Sequence, residues 1–442
     1  MVMNSSNDPV RIQTQIIHGT RISSVVPGRA TGENKVHELT PLDLAMKLHY
    51  IRGLYFFRAE AVQGLSVHDL KGAMFPWLEL YYPVSGRIRQ GPDSGRPFIR
   101  CNDGGVRVVE AWCDDFSVDE WLAMEGCGGN DDGLVYNQAL GPDLGFSPLV
   151  YVQFTWFKCG GMSLGLSWAH VLGDPFSVSA FINKWAQIMA GTARSQPLHV
   201  SSIQNYKSAP TIPKSPLSIK RVDPVGDCWV TASNCQMESH SFLITSEKLD
   251  QLMKEILNPS QATKISEFEA LSALIWKSLS EIRDDLGPRI VTICTNSPQR
   301  EENEPPSNAM EFSIVEPDFS VSKADVSDLA VLITEKRVGE DEAIRDLVQG
   351  DNGEGDYLVY GTNLTFVNLE EVNVYGLELK GQKPVFANYR IGGVGDEGVV
   401  VVCPGPESGV EGGRGGRLVT VMLPEDQVVE LKNVLQRDWD LV

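Results

Sequence analysis

His170 and Asp174 stand four residues apart in His170-Val171-Leu172-Gly173-Asp174, and none of the other six histidines has an aspartate at that spacing. An imidazole that stays neutral near pH 7 can take a proton from an alcohol or amine as that nucleophile attacks a thioester carbonyl. The spacing alone is a weak signal. His170 also shares strand parity with Leu164, Leu166 and Trp168, which fits a hydrogen-bonded core histidine, and Asp174 followed by Pro175 fits a plain helix cap. Both readings stand on the spacing alone.

The setting of the pair is more informative. Leu149 to Phe157 and Met162 to Trp168 read as two strands of a hairpin around Lys158-Cys159-Gly160-Gly161. A helix follows from Asp174-Pro175 to about Met189, with Phe176, Ala180, Phe181 and Trp185 as its apolar stripe. His170 therefore falls at a strand-to-helix junction, where side chains meet clefts.

Two other glycine or serine motifs fail on context. Gly393-Val394-Gly395-Asp396-Glu397-Gly398 has dinucleotide-loop spacing, but a strand follows it and its two acids would repel a pyrophosphate. Gly165-Leu166-Ser167-Trp168-Ala169 lacks the sharp turn that a nucleophilic serine needs. Arg414 and Arg417 lie in a glycine-rich stretch, Pro404 to Arg417, that reads as a solvated hairpin loop in preference to a contact for a CoA phosphate.

Elsewhere, helical spacing of Leu42, Leu44, Ala45 and Leu48 after Thr40-Pro41 predicts a helix within Leu39 to Phe57. Val67 to Tyr81 predicts another, interrupted at Pro76. Ser266 and Glu269 form a capping box for a helix carrying Phe268, Leu271, Leu274, Ile275 and Leu279. Strands are expected near Phe242 to Ile244, Ile290 to Cys294, Leu364 to Val367, Val399 to Cys403 and Leu418 to Leu423, with a helix from Ser246 to Leu257. Alternating strands and helices in both halves give an α/β class. With 442 residues the chain is too long for one ordinary core. The proline-rich break from Gln196 to Lys220 divides it into 1–195, a linker at 196–220, and 221–442.

A net charge of −20 argues against the basic face that nucleic acid needs, so no nucleic-acid partner is expected. It also disfavours adsorption to anionic lipid. Met1 to Gly19 has no apolar leader pattern, and no stretch of about 18 apolar residues predicts a membrane span. The eight cysteines form no CxxC pair and predict reduced thiols, with no metal site and no bound cofactor.

Ser167-Trp168-Ala169-His170 through Asp174 resembles the signature of the BAHD acyltransferases. Four more segments resemble that family in order: Leu39-Thr40-Pro41-Leu42-Asp43, Tyr82-Pro83-Val84-Ser85-Gly86-Arg87, Ser266 to Leu271 with Trp276, and Pro306-Ser307-Asn308-Ala309. The resemblance implies two similar chloramphenicol-acetyltransferase-like domains of mixed sheets flanked by helices, with a channel at their interface. It implies His170 as general base in an active member, Asp174 as structural, and acyl-CoA as a substrate.

Two departures stand out. Pro175 replaces the usual glycine after the aspartate. Glu378-Leu379-Lys380-Gly381-Gln382, before Lys383-Pro384, keeps none of the five residues of the family's DFGWG motif, which argues against ordinary CoA-dependent turnover. Leu39 to Phe57, Cys101-Asn102-Asp103, Leu140 to Leu144, Phe157 to Gly161 and Asn363 to Leu369 are similar to the Eceriferum-2-like and Glossy wax proteins. That branch implies a role in cuticular wax formation, in elongating acyl chains past about 28 carbons with a ketoacyl-CoA synthase. It further implies a cytosolic protein held at the endoplasmic reticulum by its partner, with a very-long-chain acyl-CoA as a ligand. The runner-up is an active O- or N-acyltransferase that uses His170.

Overall fold

The computed structural model describes residues 16–124, 133–192, 215–223, 225–226, 228–229, 235–256, 263–284, 289–300, 304–406 and 415–441. Most of the expected linker, Cys127, Arg414 and most of the glycine-rich loop lie outside them.

Two mixed sheets organise the chain. The first has six strands in the order His18–Val25, Val106–Cys113, Val150–Phe157, Met162–Ala169, Tyr50–Phe57 and Phe386–Gly392. The second has seven, in the order Met237–Ile244, Arg417–Pro424, Val399–Pro404, Leu364–Asn368, Val291–Thr295, Glu311–Val315 and Val338–Gly339. All eight residues of Met162–Ala169 are buried. A strand buried at every position has both faces covered, which is why it reads as a continuous run and not as an alternation.

The helix Pro175–Met189 covers the first sheet. Asp174 caps it by accepting the Ser177 N–H at 3.2 Å, with Pro175 at its first position. Its buried stripe is Val178, Phe181, Ile182, Trp185 and Ala186, a three-and-four spacing. Ala180, expected on that stripe, is exposed. Phe181 stacks on Trp77 at 3.8 Å between ring centres, and the Trp77 indole N–H donates to the Phe181 carbonyl at 2.8 Å. In the second half, Glu267–Ile282 buries Phe268, Leu271, Leu274, Ile275, Trp276 and Leu279, behind the capping box of Ser266 and Glu269. Ser266→Ala removes one side of that box and is expected to lower stability by about 1 kcal/mol in urea unfolding; a loss below about 0.3 kcal/mol would contradict it.

The helix expected within Leu39 to Phe57 is only Pro41–Ala45, and Tyr50–Phe57 is a central strand. Leu42, Leu44 and Leu48 do bury, but the run Tyr50-Ile51 and Tyr55-Phe56-Phe57 favours strand and has a partner strand on each side. The interruption expected at Pro76 falls earlier. Helices Val67–Gly72 and Met74–Leu80 meet at Ala73, since the Pro76 ring conflicts with the carbonyl four residues back. Strands His18–Val25, Val106–Cys113 and Phe386–Gly392 were not expected, nor were helices Val326–Glu335, Asp341–Gly350 and Glu425–Trp439.

The second half donates a strand to the first sheet. Phe386–Gly392 runs antiparallel to Tyr50–Phe57, with Phe386 opposite Phe56 and Gly392 opposite Tyr50. Its buried Asn388 donates to Ser241 at 2.9 Å and accepts from Thr420 at 3.1 Å, both on the second sheet.

Candidate functional site

His170 begins one turn of 3-10 helix, His170–Leu172, where the strand Met162–Ala169 ends. Its main chain is gripped twice. The His170 N–H donates to the His49 carbonyl at 3.1 Å, and the Asn308 amide donates to the His170 carbonyl at 2.9 Å. The same Asn308 amide donates to Asp43 at 2.9 Å. Burial raises the Asp43 carboxyl above its ordinary range, against the hydrogen bonds from Asn308 and Thr40 that lower it. Two family-like segments far apart in the sequence, at Asp43 and Asn308, thus converge on the motif histidine.

Gly173 makes the turn from His170 to Asp174. Its φ is +152°, and a Cβ there would sit 2.8 Å from the Ser307 nitrogen and 2.9 Å from the Ser177 Cβ. Asp174 is buried and faces the second half. It accepts the Ala309 N–H at 2.9 Å and pairs with the Arg300 guanidinium. The Asp174 N–H donates to the Ser307 carbonyl at 3.2 Å, and Ser177 exchanges two hydrogen bonds with the Ser307 main chain. Among the described residues, no hydrogen bond joins the Asp174 carboxylate to the His170 ring. Its partners are the helix start at Ser177, the Arg300 side chain and the Ala309 main chain.

The ring of His170 is 1% exposed, and its Nε2 lies 3.1 Å from the Tyr360 hydroxyl. If the phenol donates, the Nε2 lone pair is spent. If Nε2–H donates, the nitrogen already carries a proton. In neither case is Nε2 free to accept one. His49 stacks its edge on Tyr360 at 5.0 Å between ring centres, and its Nε2 accepts the Val359 N–H at 3.1 Å. Burial pushes the His170 imidazole down to about 4 and His49 to about 3, the second helped by its neighbour His170. Both rings are neutral at pH 7. Burial also lifts the Tyr360 phenol well above its ordinary range.

Sequence reasoning named His170 and Asp174 but not His49, Tyr360 and Arg300, which bond to them in the structure. His49 lies in the stretch read as helix. Tyr360 arrives from 190 residues away and leaves one local trace, Gly361. A Cβ on Gly361 would sit 2.4 Å from the Gly395 carbonyl oxygen, and the Gly395 N–H donates to the Tyr360 carbonyl at 3.0 Å. The glycine turn at Gly393 to Gly398 therefore backs the Tyr360 main chain.

Glu378 to Gln382 forms a tight turn. Leu379 and Gln382 exchange main-chain hydrogen bonds at 3.0 and 2.9 Å, with Lys380 and Gly381 at φ +50° and +72°. The Lys380 amine donates to the Gln63 carbonyl of the first half. The chain then enters the strand Phe386–Gly392. Arg417, read as solvated, is held by Glu267 and Glu370 and is largely buried. Ser167 lies within its strand, opposite Arg52 and Tyr151.

Surface hollows of about 510 Å³ beside Arg221 and Glu354, and about 430 Å³ beside Arg283 and Glu397, are not lined by His170. Among the described residues no disulfide joins the seven cysteines, no cluster of His, Cys, Asp or Glu is placed to hold a metal ion, and no helix is long and apolar enough to cross a membrane.

Comparison with known proteins agrees with this geometry. The Transferase family matches residues 17–308. Protein ECERIFERUM 2 of Arabidopsis thaliana is 40% identical, over 94% of this chain and 97% of its own length. Protein ECERIFERUM 26-like of the same plant is 38% identical, over 94% of each. Vinorine synthase superposes with a TM-score of 0.69 at 18% identity, over 94% of this chain and 96% of its own, which shows the shared fold of two chloramphenicol-acetyltransferase-like domains. With its motif histidine bonded to residues from both halves of the chain and these relatives along nearly its whole length, the chain belongs to the BAHD transferase family, among proteins of the ECERIFERUM 2 type.

Proposed function

We propose that this protein is an accessory factor for very-long-chain acyl elongation in wax formation, working with a ketoacyl-CoA synthase. The single observation that carries the reading is the enclosed His170, whose Nε2 is engaged by the buried Tyr360 hydroxyl. In this geometry an acceptor has to displace the Tyr360 phenol before Nε2 can take its proton. The lost motif at Glu378 to Gln382 and the similarity to ECERIFERUM 2 support the same reading. In it the protein is cytosolic, peripheral at the endoplasmic reticulum through the synthase, and meets very-long-chain acyl-CoA as a ligand. Each methylene buried along a lined groove would favour longer chains by roughly 0.8 kcal/mol.

A second reading, an acyl-CoA-dependent O- or N-acyltransferase, draws on the neutral His170 imidazole and its intact main-chain clamp from His49 and Asn308. Yeast expressing a ketoacyl-CoA synthase separates the two. Wild type and His170→Ala are both expected to shift the fatty-acid profile to longer chains, as measured by gas chromatography. An extension that only wild type produces would sink the accessory reading and favour the transferase.

A further inference from the structure

One segment of the second half seals the histidine, and it is fastened at several points. The Lys47 ammonium meets Asp356 at 2.9 Å and the Gly353 carbonyl at 3.3 Å, with both charged side chains buried. Two residues on, His49 accepts the Val359 N–H. Tyr360 then reaches His170 Nε2, its ring wholly buried beside His49 and Phe312. On its other side the strand Asp356–Leu358 pairs with Lys220–Val222, and Gly395 holds the Tyr360 carbonyl.

The position of the phenol is chemically specific. An acceptor activated by His170 has to bring its oxygen within hydrogen-bond reach of Nε2, about 2.6–3.2 Å. The Tyr360 oxygen is at 3.1 Å. We propose that Tyr360 is a built-in stand-in for the acceptor hydroxyl, and that it holds off a latent acyl-CoA-cleaving activity of His170. The inference rests on the reading above, that the chain does not turn over acyl-CoA as it stands.

Removing the ring opens room for water at Nε2. That water gives a proton to His170 while its oxygen bonds to the thioester carbonyl carbon. The carbon–sulfur bond then breaks, and His170 returns the proton to the departing sulfur. The products are the free acid and the CoA thiol.

The test uses the full chain and decanoyl-CoA, with thiol release as readout. Wild type and Tyr360→Ala/His170→Ala are expected at background. Tyr360→Ala is expected to release thiol at least about a hundredfold faster, the low end of what a positioned base contributes. Tyr360→Phe keeps the ring's volume and removes only the hydroxyl, so it protects the test against misfolding. In it the nitrogen-15 resonance of His170 Nε2 is expected to move, while thiol release stays at background. A folded Tyr360→Ala that stays inert beside inert wild type overturns this inference alone, as does an unmoved Nε2 resonance in Tyr360→Phe. Thiol release by wild type that His170→Ala abolishes overturns both this inference and the accessory reading.

Discussion

Lowering the pH from about 6.5 toward 3 is expected to cost the fold several kcal/mol, with His49 and His170 as the main cause. In the unfolded chain both imidazoles take up protons near 6.5, whereas in the fold burial delays this to about 3 and about 4. Across that window the unfolded state binds more protons, so stability falls as pH falls. Each group contributes about 1.4 kcal/mol per pH unit within its window. His240, also lowered to about 4 by burial, acts in the same direction. Asp43 acts oppositely, because its carboxyl is raised and favours the protonated fold. Between pH 6.5 and 5 ordinary carboxylates stay ionised, so the slope there belongs mainly to the histidines. Urea unfolding at several pH values measures it. His49→Gln should remove about one proton's share of the slope, and a stability that is flat from pH 7 to 5 would refute the assignment.

Asp174→Ala is expected to lose about 3–5 kcal/mol, as happens when one member of a buried ion pair is removed. The carboxylate serves three donors at once: the Ser177 N–H, the Ala309 N–H and the Arg300 guanidinium. Truncation strands all three, and Arg300 sits against Phe176 with its side chain mostly covered. Asp174→Asn keeps an oxygen for the helix start but no charge for Arg300, so a smaller loss is expected. Urea denaturation compares the three proteins. A loss below about 1 kcal/mol for the alanine variant would show that Arg300 and Ala309 dock by other means.

What could be read in the sequence follows the range of the forces involved. The Asp174 cap, the Pro175 helix and the Ser266–Glu269 box rest on contacts within a few residues, and the structure contains each of them. The α/β class and the strands around Met162–Ala169 rest on apolar runs long enough to outweigh local noise. The strand Phe386–Gly392 was hidden because it buries Asn388 and Arg390, polar residues that an apolar pattern excludes. Asn388 is satisfied by Ser241 and Thr420, which only the assembled fold brings near. The site shows the same limit. His170 carries a local motif, but Tyr360 and Arg300 reach it and Asp174 from more than a hundred positions away. Tyr50–Phe57 was misread because the helical spacing just before it continued plausibly into an aromatic run that a flanking strand on each side then claims.

The strand that the second half lends to the first sheet also sets an order of events during synthesis. The edge of Tyr50–Phe57 that Phe386–Gly392 will occupy emerges early from the ribosome, while its partner is made near the end of the chain. At ordinary elongation rates that edge waits on the order of tens of seconds, with main-chain donors and acceptors open. The first half is thus a nascent intermediate with a sticky margin for much of its translation. A chaperone that shields this margin would govern yield, and a stop codon ahead of residue 386 would release a fragment prone to aggregate.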